Sequence, residues 1–173
     1  MNLRNEVHPD GEVRRALVVV WSNLWICASS AQALQMESGA VVDEALKERQ
    51  ALRTCALMDF FLGCTEETEV IKRSDFHERD WRPGPIDSVN RLKAALKEMD
   101  HSLAPMSWWW TSPRSLHLDH QTLGLDILYV AKEWADHVDA EGSVDVSTFR
   151  MQVDQMITEL SFVPHEVNGG NWK

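Results

Sequence analysis

The stretch Ala16–Ala28, ALVVVWSNLWICA, decides how the chain folds. Arg14 and Arg15 precede it and Ala31-Gln32-Ala33 follows it, so its layout imitates a secretory leader of basic residues, apolar run and small residues. The lead segment, however, carries Glu6, Asp10 and Glu12, and Ser22 and Asn23 interrupt the run. The run also falls short of the about 20 apolar residues that a membrane span needs. It therefore reads as a retained core helix, with no membrane role. Val13, Leu17, Val20, Leu24, Ala28 and Ala31 recur at helical spacing and predict a helix over Gly11–Met36, ended by Ser38-Gly39. Val18, Val19, Trp21, Trp25 and Ile26 make its centre apolar on nearly every side. Such a helix is buried either at the centre of the fold or by a partner chain, and the second case implies a homodimer.

Four more helices follow from the same periodicity. Val41 to Leu62 predicts a second helix, solvated at first by Glu44, Lys47, Glu48, Arg49 and Gln50, then apolar from Ala51 onward except for Arg53, Thr54 and Asp59. Arg53 and Asp59 fall in its buried part and each needs its own partner, because six residues place them on different sides of the helix. Cys64 to Pro85 has no sustained periodicity and reads as a long charged loop pinned by Phe76 and Trp81. Pro85 opens a third helix with Val89, Leu92, Leu96, Met99 and Leu103 on one stripe, ended by Pro105. The fourth helix, Asp119 to Ala140, buries Leu123, Ile127, Val130, Trp134 and Val138. The fifth, Ser147 to Phe162, buries Phe149, Val153, Met156 and Leu160. The expected fold is all-α: one helical domain over residues 1–163 and a flexible polar tail over 164–173.

Composition narrows the function. The 173 residues suit one domain, and 44% apolar with 25% charged residues is ordinary globular usage. A net charge of −10 argues against gripping a nucleic-acid backbone and is compatible with a basic partner. Cys27, Cys55 and Cys64 match no zinc or redox spacing; they read as small buried hydrophobes of a cytoplasmic protein. GxxxxGK[ST], GxGxxG and GxSxG are all absent, and no cofactor is expected.

Three groups of residues are candidate sites. Asp119, Asp126 and Glu133 recur every seven residues on the fourth helix, with His137 one turn beyond Glu133. This acidic strip reads as a solvated face, as a docking surface for a basic protein, or as a metal site in which Glu133 and His137 are joined by His117 and His120. Trp108-Trp109-Trp110 forms a non-helical aromatic segment with at least one ring free to contact a partner. His77-Glu78-Arg79-Asp80-Trp81 concentrates titratable groups in the long loop; it reads as a salt-bridged anchor or as acid–base chemistry.

The Ala51–Leu62 helix end, Asp75-Phe76 and Trp81 in the loop, and His101-Ser102-Leu103-Ala104-Pro105 at the next helix end resemble bacterial helical proteins of the HEPN superfamily. The resemblance covers about a third of the chain. It implies a helical bundle. HEPN ribonucleases use a neighbouring Arg and His near a helix end, but Pro105 stands where that His is expected, and Arg73–His77 and Lys97–His101 depart from the pattern. The resemblance therefore implies a lost or altered nuclease site.

Three functions are expected from these readings. The first is a non-enzymatic acidic interaction protein, of the kind that inhibits a basic partner in phage or defence systems. The second is a degenerate HEPN-like domain that cleaves RNA or binds nucleotide through His77 and His101. The third is a metal-dependent enzyme built on the acidic strip.

Overall fold

A computed structural model describes residues 10–36, 39–62, 76, 81–103, 119–142 and 144–162, with the side chains of 98–103 left aside. Five helices run in chain order, and among the described residues there is no strand: α1 (Asp10–Ala33), α2 (Ala40–Leu62), α3 (Ile86–Leu103), α4 (His120–Glu141) and α5 (Ser147–Ser161). All five predicted helices form, and their ends differ from the expected ones by a few residues. α1 stops at Ala33 rather than Met36, because Gln35 and Met36 bond back three residues in a turn. The 164–173 tail, Cys64 and Trp108–Trp110 lie outside the described residues.

Local chemistry sets the helix starts and stops. The Gly39 carbonyl accepts from the Val42 and Asp43 amides at the start of α2, and the Pro85 carbonyl accepts from Val89 (3.0 Å) at the start of α3. Proline suits this place because it has no amide hydrogen to leave unpaired. Asp119 caps α4: its Oδ1 accepts from the Thr122 amide at 3.0 Å and its Oδ2 from the Thr122 hydroxyl at 2.6 Å. At the other end Gly142 adopts φ 66°, and its amide bonds to the carbonyls of Val138 and Asp139. The Asp145 carboxylate accepts from the amide and hydroxyl of Ser147 and so starts α5.

α4 is the central helix and packs against all four others. Its predicted inner face, Leu123, Ile127, Val130, Trp134 and Val138, is fully buried, together with Leu128, Ala131 and Ala135. Of the two alternatives for α1, this corrects burial at the centre of the fold. α1 packs on α2, α4 and α5, yet Val18, Val19 and Trp25 remain 61%, 48% and 52% exposed. Arg53 is likewise exposed, its guanidinium donating to the Asn23 Oδ1 across the outer seam of α1 and α2. Gln50, expected in solvent, is fully buried.

Trp134 is the packing centre. Phe60 and Phe61 from α2, Phe76 from the connection, and Phe149 from α5 meet its ring near-perpendicularly at centroid distances of 5.4, 5.9, 5.1 and 5.8 Å. Edge-to-face geometry sets the positive ring edge against the negative face. Trp21 of α1 continues the chain by meeting Phe149 at 6.3 Å. Phe76 and Trp81 are buried, as expected for residues that pin the long connection.

Gly124 permits the closest approach of helices. A Cβ there would sit 2.9 Å from Leu160 Cδ2 and 3.0 Å from Ala31 Cβ, tighter than real Cβ contacts. Glycine costs a helix interior about 1 kcal/mol relative to alanine, and here that cost permits α1 and α5 to close on α4.

Replacing Trp134 with Ala should lower unfolding stability by about 3–5 kcal/mol, the usual range for removing a buried large aromatic. Urea unfolding of Trp134→Ala measures this directly. A loss no larger than that of an exposed substitution such as Met151→Ala would show that the ring cluster is not the packing centre.

Candidate functional site

The acidic strip of α4 divides into three unlike environments. Asp119 is the cap described above, and its carboxyl is held below the usual range by the Thr122 hydroxyl and amide. Asp126 is 2% exposed and points inward, where Arg91 of α3 grips it with two bonds: Nε to Oδ2 at 2.7 Å and Nη2 to Oδ1 at 2.6 Å. Arg91 Nη2 also donates to the Ser88 hydroxyl at 3.3 Å. Glu133 is exposed, with its carboxylate lying over Gly84, where any Cβ would collide with it. The seven-residue repeat thus yields one cap, one buried ion pair and one surface group. Asp126 is therefore not available to a partner.

The described members of the metal set do not converge. His120 and His137 are seventeen residues apart on α4, about 25 Å along a helix axis. His137 Nε2 lies 3.7 Å from Glu141 Oε1. Among the described residues no group of three His, Cys, Asp or Glu side chains is placed to hold a metal ion. His117, His77 and the side chain of His101 lie outside the described residues, and so do the positions around Pro105.

His120 instead joins a buried polar cluster between α1, α2 and α4. Gln50 Nε2 donates to the His120 carbonyl at 2.7 Å. That orientation leaves Gln50 Oε1 as acceptor for His120 Nδ1 at 2.6 Å, so the imidazole carries its proton on Nδ1. Nε2 is buried and has no bonding partner among the described residues. Burial first, and the Lys47 ammonium second, hold the imidazole below its ordinary 6.5. Nearby, Cys27 Sγ and Thr54 Oγ1 lie 3.3 Å apart. Burial raises the Cys27 thiol to about 11, so it stays protonated and is a poor nucleophile.

The charge of the C-terminal third sits elsewhere than on the predicted strip. From Lys132 to Phe162 there are seven acidic residues and two cations, Lys132 and Arg150. Arg150 Nη1 lies 2.6 Å from Asp139 Oδ2 and 3.7 Å from Asp136 Oδ1, and Lys132 pairs with Asp154. Each cation thus ties α4 to α5, and carboxylates remain in excess around them.

Arg91, Gln50 and Gly124 were not singled out from the sequence. Gln50 had a signal, because it stands in register with Thr54, Leu57 and Phe61 on the inner stripe of α2. Arg91 stands between Asn90 and Leu92 and is exposed like Asp87, Lys93 and Lys97 of the same helix, so nothing local marks it.

No protein-family model, curated protein or solved structure matches the chain.

Two outcomes follow from these pairs. A neutral, buried His120 favours the fold above pH 6.5. As pH falls below that value the unfolded chain takes up the proton first, and stability declines toward the lower folded-state value. Denaturant unfolding between pH 7.5 and 5, about the His range, should show a steeper loss for the wild type than for His120→Gln; equal slopes would refute it. Arg91→Ala should lower the thermal midpoint more than Arg53→Ala, because it strands a buried carboxylate. Arg91→Met with Asp126→Leu should recover most of that loss. Equal midpoints for the two single variants would contradict the pair's role.

Proposed function

We propose that the protein is a non-enzymatic interaction protein that docks a basic protein surface on the acidic face of α4 and α5. One observation carries this reading: between Lys132 and Phe162 seven carboxylates surround two cations, and both cations are already engaged by Asp154, Asp136 and Asp139. A field of one sign steers an oppositely charged partner and fixes its orientation more than it raises affinity. Asp136, Glu141 and Asp145 are exposed along the C-terminal end of α4 and its turn into α5, whereas Glu133 lies toward Gly84. The docking surface is thus displaced from the Asp119–Asp126–Glu133 repeat toward the C-terminal end of α4.

An oligolysine peptide is a suitable probe, titrated against the whole chain by fluorescence anisotropy. Binding should weaken as salt rises. Asp136→Lys with Glu141→Lys should weaken it by about tenfold, the scale expected when charges at an interface rim are reversed. Glu44→Lys with Glu48→Lys, on α2, makes the same change in net charge and should have a much smaller effect. If both double variants lose affinity equally, the attraction is to net charge alone and the α4–α5 face has no special part.

A further inference from the structure

The outward side of α1 is the least expected surface of the molecule. From Ala16 to Met36 there is no charged residue, in a chain where a quarter of residues are charged. Val18, Ser22, Trp25 and Ser29 fall within about 60° of one another around the helix, with Val19 and Ile26 beside them. The two apolar members, Val18 and Trp25, would be ordinary on a core helix, but here both are more than half exposed.

The polar groups on this side do not make it polar. Ser22 Oγ donates to the Val18 carbonyl at 2.8 Å, Asn23 Nδ2 to the Val19 carbonyl at 2.9 Å, and Ser29 Oγ to the Ile26 carbonyl at 3.2 Å. Each turns its donor back onto its own helix. What faces outward between Val18 and Ser29 is a stripe about 17 Å long, from the rise per residue, without a charge of its own, bounded at its N-terminal end by Arg14 and Arg15 and flanked by Arg53 at Asn23.

We propose that this stripe is covered by a second copy of the chain, with the two α1 helices crossing antiparallel about a two-fold axis near Ser22. Charge selects the occupant. A basic partner gains nothing on a side without carboxylates, whereas two chains of −10 repel except where each presents an uncharged side. Shape selects the antiparallel arrangement. A two-fold contact must be self-complementary, and the small Ser22 at the crossing lets the backbones approach. Counting equal steps either side of Ser22 sets Trp25 of one copy against Val19 of the other, and Val18 against Ile26. The same register sets Arg15 opposite Ser29, near the C-terminal end of the other α1, whose last turn holds no basic side chain to repel it. A parallel pairing would stack Arg14 and Arg15 on their own copies. The stripe is small beside the about 800 Å² per partner of a standard interface, so the dimer is concentration-dependent. The proposal stands apart from the α4–α5 reading, because it uses a different helix.

Sedimentation velocity of the whole chain tests it. The mass should move from 19.8 kDa toward twice that value as concentration rises from about 1 to about 100 µM, the range of a small interface. Val18→Lys and Ser22→Glu change exposed positions, and both should keep the wild-type helical circular dichroism and remain monomeric throughout. Ser22→Cys should form an intermolecular disulfide on mild oxidation faster than Met151→Cys. A wild type that stays monomeric over the whole range overturns the proposal, as does a dimer that survives both charged variants. Flotation of the wild type with neutral phosphatidylcholine vesicles, abolished by Val18→Lys, would assign the stripe to a lipid surface and overturn it equally.

Discussion

The structure depends on the perpendicular packing of four phenylalanine rings around Trp134. Phe60 and Phe61 come from α2, Phe76 from the connection, and Phe149 from α5. One side chain thus ties together segments up to ninety residues apart in sequence. Edge-to-face contacts are individually worth about 0.5–1.5 kcal/mol beyond their buried area. Their larger effect is geometric, because rings that meet edge-on fix the rotation of α4 about its own axis. That rotation presents Asp126 to Arg91 of α3.

Two kinds of polar group result. Asp119, Asp126, Gln50 and His120 are spent on the fold: one caps a helix, one anchors α3, and two lock α2 to the start of α4. Seven further carboxylates lie between Lys132 and Phe162, while α1 carries no charge between Ala16 and its end at Ala33. The molecule therefore has exteriors of opposite character on different helices, and a partner suited to one is unsuited to the other.

Most of the helical architecture was legible in the sequence, since periodic apolar positions report which side of a helix is dry. Every residue expected on the inner faces of α4 and α5 is buried, and Phe76 and Trp81 are buried where their isolation in a charged loop implied. Periodicity could not rank the helices by depth. α1 is the more apolar in sequence, yet α4 is central, because depth depends on how many neighbours a helix has and not on its own composition. Nor could spacing separate Asp126 from Glu133. A seven-residue repeat drifts by about 20° per step on a straight helix, which is too little to distinguish them, and what separates them is a cation on another helix. Gln50 was misplaced for a related reason: it follows four residues of charged or solvated character, and its burial depends on His120, seventy residues away.

Arg91 gives α3 a particular standing in the bundle. α3 packs chiefly on α4 and touches α2 only lightly, so its attachment rests on Val89, Leu92 and one doubly bonded carboxylate. Apolar contacts tolerate sliding along a helix axis, whereas a forked guanidinium does not. The Arg91–Asp126 fork therefore acts as a pin among the described residues: it sets one longitudinal register of α3 on α4, and the Pro85 turn that leads into α3 is placed by it.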